Sequence, residues 1–184
     1  MQTQALLQKL IEQTKNNINV VERFKALSHE TLNYKENAEK WSVLECVEHL
    51  NLYGDHYFPE IENSIRNTHT TAEPVFKSGW LGGYFANSML PKEKLNKMKT
   101  FKDKNPSNSK LDSKVLDRFV DQQKHLLKLL DMSNKVSLEK VRIKTTLSSL
   151  LRLKLGDTFQ FVINHNMRHL KQAEEVLGLA SNKY

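Results

Sequence analysis

Cysteine is almost absent from this chain of 184 residues, which contains only Cys46. A single thiol cannot form an internal disulfide, and the lack of any CxxC or CxxH pair excludes zinc fingers that bind their metal through thiolates. We therefore expect a fold that needs no disulfide. We also expect a cytoplasmic location, because cytosolic proteins usually keep their thiols reduced.

Long hydrophobic runs are also missing. No apolar stretch approaches the roughly 18 residues that a membrane-spanning helix needs, and the first residues, MQTQALLQKLIEQ, are amphipathic rather than typical of a signal peptide. We expect a protein without a membrane segment. The 39% of hydrophobic residues suffices for one substantial core, and the length fits a single domain over residues 1–184.

Acidic residues are fewer than basic ones, and the formal net charge is +7. Much of the excess lies between Lys92 and Lys110, where seven lysines accompany only Glu93 and Asp103. This segment has one aromatic residue, Phe101, and no arginine that could hold a phosphate through paired hydrogen bonds. The composition favours a solvated loop, and nucleic-acid binding through this segment is the weaker alternative.

Four stretches of the sequence repeat their apolar residues at the spacing of an amphipathic helix. The predicted helices cover residues 3–27, 42–66, 113–132 and 157–177. No stretch shows a convincing strand alternation, apart from a weak pattern in VRIKTT. The sequence therefore predicts an all-α protein.

The ends of two helices carry recognisable capping patterns. Ser42 is followed three residues later by Glu45, and D-T-F-Q begins at Asp157, so each stretch predicts a capping box at a helix start. Trp41, directly before the second helix, is placed to act as a hydrophobic staple. Gly178 is predicted to end the fourth helix.

The connections between these helices are unequal in length. Residues 68–112 contain three of the four prolines and three of the six glycines, with a short helical piece predicted around WLGGYFANSML. This is far longer than the roughly 2 to 8 residues that join tight antiparallel helices. A second connector, residues 134–156, is predicted to hold a short helix in TTLSSLLRL, and Pro59 is predicted to kink or shorten helix two. Together these features predict a four-helix bundle with a long crossover between helices two and three, which then run parallel.

Histidines mark the inward faces of two helices. His165 and His169 lie four residues apart along the apolar stripe of helix four, a spacing that lets two imidazoles reach one metal ion. His49 and His56 share a face of helix two, and either could complete a three-histidine site. Because His-x-x-x-His pairs also arise by chance, a metal site and an ordinary polar pair both remain open at this point.

Two stretches resemble a known family. WSVLECVEHL, at the start of helix two, is similar to the tryptophan-serine entry and His-Leu pair of the DinB-like superfamily. INHNMRHLKQAEEVL, on helix four, resembles the His-x-x-x-His-x-x-Gln pattern of the same superfamily. The resemblance extends over essentially the whole chain in the order of its helices.

The resemblance implies an up-down-down-up four-helix bundle that is often a homodimer. It also implies a divalent metal, Zn²⁺ or Ni²⁺, held by His49, His165 and His169. Family members with assigned activities are metal-dependent transferases or isomerases that use low-molecular-weight thiols, and others are regarded as hydrolases. The expected partner is therefore a small-molecule substrate, while a metal-binding or stress-response module without turnover is the alternative.

An open coordination position would let such a metal activate water or a thiol. The candidate proton acceptors by helical position are Glu45, Glu48, Tyr53 and His56, none of which the sequence singles out as catalytic. Cys46 is expected to be a buried apolar filler rather than a ligand.

Overall fold

The computed structural model describes residues 1–91, 100–146, 148 and 150–181, and this part of the chain is mostly helical. The helices are α1 (Thr3–Phe24), α2 (His29–Asn33), α3 (Val43–Arg66), α4 (Trp80–Ser88), α5 (Lys114–Met132) and α6 (Leu155–Ser181). Short 3₁₀ turns cover Lys102–Lys104 and Ser133–Lys135, and strands β1 (Arg142–Lys144) and β2 (Arg152–Lys154) form a hairpin. The largely helical architecture confirms the predicted fold class, to which the structure adds the hairpin.

Helix α3 begins with the predicted capping box. The backbone N–H of Glu45 donates to Ser42 Oγ at 3.2 Å, and the N–H of Ser42 donates to the Glu45 carboxylate at 2.8 Å. Pro59 lies inside α3 without shortening it. Pro59 has no N–H to donate to the carbonyl of Asp55, and both residues are exposed.

The predicted ends of the fourth long helix were wrong. Helix α6 begins at Leu155, directly after β2, and continues through Gly178 to Ser181. The Asp157 carboxylate does not cap the start of α6. It accepts hydrogen bonds from the hydroxyl of Ser78 and, at 2.8 Å, from the N–H of Gly79, so it ties the start of α4 to α6.

The predicted short helix in TTLSSLLRL was also wrong. Strands β1 and β2 pair antiparallel with Arg142 opposite Lys154, and Ile143 and Leu153 lie buried between them and the helices. The weak alternation in VRIKTT therefore marks a real strand whose middle residue, Ile143, points into the core. Residues 147 and 149 of that predicted helix lie outside the described residues.

Helices α1 and α3 each pack against both α5 and α6. One hydrophobic cluster combines Leu6 and Leu10 near the start of α1, Ile61 near the end of α3, Leu129 near the end of α5, and Phe159 near the start of α6. This cluster therefore joins the beginnings of two long helices to the ends of the other two.

The second cluster combines the opposite ends of the same helices. Phe24 comes from the end of α1, Val47 from the start of α3, Leu116 from the start of α5, and Leu170 from the second half of α6. The segment of α3 that carries His49 is thus held against the second half of α6. Among the described residues, we find no helix with the length and apolar character needed to span a bilayer.

Alanine substitutions at two glycines test these helix boundaries. A Cβ at Gly178 would have no atom within 4 Å, whereas a Cβ at Gly82 would lie 2.3 Å from an Asp157 carboxylate oxygen. Because alanine favours a helix interior, Gly178→Ala is expected to raise the free energy of unfolding by roughly 0.5 to 1 kcal/mol. Gly82→Ala is expected to lower it, because α4 must move away from Asp157. Equilibrium urea unfolding measures both.

Destabilisation by Gly178→Ala would contradict the continuous α6. It would instead support a helix that ends in a left-handed residue at this glycine, as the sequence pattern predicted.

Candidate metal centre

Three imidazoles from two helices converge inside the protein. Each of His49, His165 and His169 offers one nitrogen atom, and these three atoms all lie within 4.8 Å of one another. His49 comes from α3, while His165 and His169 lie one turn apart on the same face of α6. The Nε2 atoms of His49 and His165 are 3.2 Å apart. The structure therefore brings together the three histidines that the family resemblance implied.

The outer nitrogens of two of these rings are held by acceptors. His49 Nδ1 lies 2.6 Å from the backbone carbonyl of Lys104, and His169 Nδ1 lies 2.8 Å from the side-chain oxygen of Gln172. An oxygen that can only accept requires the N–H on Nδ1. The Nε2 atoms of His49 and His169 are then unprotonated, and such partners of the outer nitrogen are typical of histidines that bind metals.

His165 has a different environment. Its side chain is buried, and its Nδ1 has no hydrogen-bond partner among the described residues. The ring stacks on Phe161 with an interplanar angle of 10° and packs against Tyr53. Its Nε2 faces the lone pair of His49, so either a proton on His165 or a cation must occupy the space between the two nitrogens.

Burial keeps these imidazoles neutral near pH 7. Removal from water lowers the pKa of His49 from its ordinary value of 6.5 to about 4, although the hydrogen bond to Lys104 partly opposes this. The pKa of His169 is lowered to about 3, first by burial and then by the charge of a protonated His49. The pKa of His165 is held well below 6.5 for the same kinds of reason. Neutral imidazole is the form that binds a metal ion.

The donor set fits a divalent transition metal. Two nitrogens bound to one tetrahedral zinc ion at about 2.0 to 2.1 Å would be roughly 3.3 to 3.4 Å apart, close to the observed 3.2 Å between His49 and His165. Three neutral nitrogen donors suit zinc, nickel or copper better than magnesium or calcium. A three-histidine set also leaves a coordination position for water or substrate.

A family model described as the DinB superfamily matches residues 7–173. The chain belongs to the DinB superfamily. No curated protein and no solved structure gives a significant match to it. The superfamily assignment confirms the resemblance seen in WSVLECVEHL and INHNMRHLKQAEEVL.

Three of the four predicted proton acceptors of this DinB-superfamily chain have other partners. Glu45 forms the capping box and also binds Lys35 and the N–H of Asn108. Glu48 pairs with Arg118 at 3.0 Å. His56 Nε2 lies 3.4 Å from the backbone carbonyl of Lys144 in the hairpin.

Tyr53 is the one predicted acceptor that lies against the histidines. Its ring centroid is 4.5 Å from that of His165 and 5.0 Å from that of His49. Burial raises the pKa of its phenol to about 12, so it remains a proton donor near neutral pH. Cys46 is fully buried in the second cluster, where burial raises the pKa of its thiol, as expected for an apolar filler.

Sequence reasoning missed two contributions to the site. The ring of Trp41, predicted only to pack as a staple, lies 4.8 Å from that of His49 and 5.7 Å from that of His169. Its indole N–H donates to Ser107 at 2.8 Å. Lys104 contributes its backbone carbonyl, for which no side-chain pattern exists. Ser107 and Lys104 both belong to the lysine-rich segment between Lys92 and Lys110, and residues 92–99 of that segment lie outside the described residues.

Acidification is expected to destabilise the metal-free protein. The unfolded chain takes up protons near pH 6.5, whereas folded His49 and His169 do so only near pH 4 and 3. The unfolded state therefore binds more protons over this interval, and the free energy of unfolding falls as the pH drops. As the pH falls well below 6.5, the slope approaches about 1.4 kcal/mol per pH unit for each imidazole that stays neutral, and it is shallower near pH 7. Urea unfolding between about pH 7 and 5 measures it.

His169→Asn should make this slope shallower, because the variant lacks one of the imidazoles that stay neutral in the folded protein and become protonated in the unfolded chain. His29→Asn, at an exposed histidine of α2, is the matched control and should leave the slope unchanged. Equal slopes in all three proteins would contradict the neutral buried cluster.

Proposed function

We propose that the chain is a metal-dependent enzyme that uses a low-molecular-weight thiol, or water, to transform a small-molecule substrate. In this proposal, His49, His165 and His169 hold one divalent ion, with zinc or nickel as the preferred metals. The observation that carries it is that α3 and α6 bring imidazole nitrogens of the buried His49 and His165 to 3.2 Å from each other, in a cluster that His169 completes. Superfamily membership supports the same chemistry.

A divalent ion bound there would act as a Lewis acid that lowers the pKa of a coordinated water or thiol. The chain's own residues prepare the site for it. Lys104 and Gln172 fix the orientation of His49 and His169 through their Nδ1 atoms. The rings of Trp41 and Tyr53 pack against these histidines and supply aromatic walls that limit access of water.

A metal-binding or stress-response module without turnover is the second candidate. It is favoured by the close burial of His49 and His165, whose exposed fractions are only 2% and 4%. The two candidates differ in whether an exogenous molecule can reach the metal. The thiol route would also require a reducing compartment, consistent with the cytoplasmic location expected from the cysteine content.

We further infer that α1, α3, α5 and α6 form an up-down-down-up bundle. Support comes from the two hydrophobic clusters, in which the starts of α1 and α6 accompany the ends of α3 and α5, and the reverse. In this arrangement α3 and α5 run parallel, which requires the long connection between them. A homodimer remains part of the proposal on the basis of the family resemblance.

Purified wild-type protein is expected to carry about one divalent ion per chain, because its three neutral imidazoles can complete a three-nitrogen site. His165→Ala should lose most of this metal while keeping its helical circular dichroism. Elemental analysis of protein prepared without an affinity tag measures the content. His56→Ala, which removes a histidine of α3 outside the cluster, is the control and should bind metal normally. Equal metal content in wild type and His165→Ala would falsify the site.

A thiol should reach the bound metal if the chain is an enzyme of the proposed type. Protein loaded with Co²⁺ is expected to gain a sulfur-to-cobalt charge-transfer absorption when 2-mercaptoethanol is added, because a thiolate enters the open position. The Tyr53→Phe variant should still show the band, since the phenol is not a ligand. A cobalt spectrum that does not respond to thiol, together with normal metal content, would favour the module without turnover.

A further inference from the structure

The outer face of the β1–β2 hairpin concentrates positive charge. Arg142 lies opposite Lys154, and Lys144 lies opposite Arg152. Each of the two outward-facing cross-strand pairs therefore consists of two basic residues. Arg142, Lys144 and Arg152 are exposed. Like charges directly opposite each other destabilise a strand pair. The hairpin therefore keeps an arrangement that weakens its own folding.

Carboxylates compensate little of this charge. Lys154 pairs with Glu139 at 3.1 Å. The side chains of Arg142, Lys144 and Arg152 form no ion pair with any described residue. Within the described part of the chain, three cations on one face of this hairpin thus have no carboxylate partner.

These cations border an open groove of about 400 Å³ between the hairpin and the last turns of α3. One wall carries Lys140 in addition to the three cations of the hairpin, and Glu60 is the only carboxylate among the lining residues. The facing wall carries Glu60 together with neutral amide and hydroxyl side chains, namely Asn63, Ser64, Asn67 and Thr68. The groove thus combines a cationic side with a hydrogen-bonding side.

We propose that this groove binds the phosphate group of a small phosphorylated molecule. Arginine matches phosphate because its planar guanidinium donates paired hydrogen bonds, and Arg142 and Arg152 both line the groove. The amides and hydroxyls opposite them suit the polar remainder of such a ligand. The volume lies in the range of roughly 300 to 1,000 Å³ that small-molecule sites occupy.

The groove is separate from the histidine cluster. Glu60 and Ser64 are eleven and fifteen residues beyond His49 on α3, which corresponds to about 17 and 22 Å along the helix axis. The phosphate proposal consequently does not depend on a metal at the histidines, and failure of either proposal leaves the other untouched.

Titration of ¹⁵N-labelled protein with glycerol 2-phosphate tests the site. Backbone resonances of β1 and β2 and the Nε–H resonances of Arg142 and Arg152 are expected to shift and saturate. The double variant Arg142→Gln/Arg152→Gln should bind at least tenfold more weakly. Lys9→Gln/Lys15→Gln removes the same charge from exposed positions of α1 outside the groove and should bind within twofold of wild type.

Thermal unfolding gives a second readout that separates a binding role from a structural one. In phosphate-free buffer, Arg152→Gln should have a melting temperature equal to or above that of wild type, because the repulsion with Lys144 is relieved. At ten times its dissociation constant for wild type, glycerol 2-phosphate should raise the melting temperature of wild type by about 3 to 6 °C and that of Arg152→Gln by much less.

Three results would overturn the proposal. They are the absence of saturable shifts, shifts confined to the histidine cluster, and equal affinity of the groove variant and wild type. A fourth would reject the small-molecule assignment: binding of a single-stranded oligonucleotide that requires Arg142 and Arg152 while glycerol 2-phosphate does not bind.

Discussion

The packing of α3 against α6 is the constraint on which the candidate site depends. It brings His49 within 3.2 Å of His165 although the two residues are 116 positions apart in the chain. The same packing removes both rings from water, which lowers their pKa values and keeps them neutral. A cluster of imidazoles that resists protonation keeps nitrogen lone pairs available for a metal ion. The chemistry proposed for the protein follows from that combination of proximity and neutrality.

Much of this arrangement could be predicted because local rules and long-range packing agree. The Ser42 and Glu45 pattern correctly marked the start of α3, and the helical period placed His165 and His169 on one inward face. The link from His49 to that pair could not be derived from periodicity, because the pattern of one helix does not reveal which helix it will meet. There the family resemblance supplied the missing information.

The errors arose where a local pattern was a poor guide, and each had its own cause. Asp157 looked like a cap, but its carboxylate is used by Ser78 and Gly79 of a distant segment. Gly178 looked like a helix terminator, yet nothing beside it forces the chain to turn. The hairpin was missed because its strands contain only three residues each, too few for an alternating pattern to stand out.

The acceptor that orients His49 has a consequence for how the site can vary. It is the main-chain carbonyl of Lys104, so any amino acid at this position except one that distorts the backbone can make the same contact. Alanine substitution at this position would remove the Lys104 side chain but leave the hydrogen bond to His49 in place. Insertions or deletions in the connector would instead displace the carbonyl, so natural variation around this imidazole should be freer in side-chain identity than in loop length.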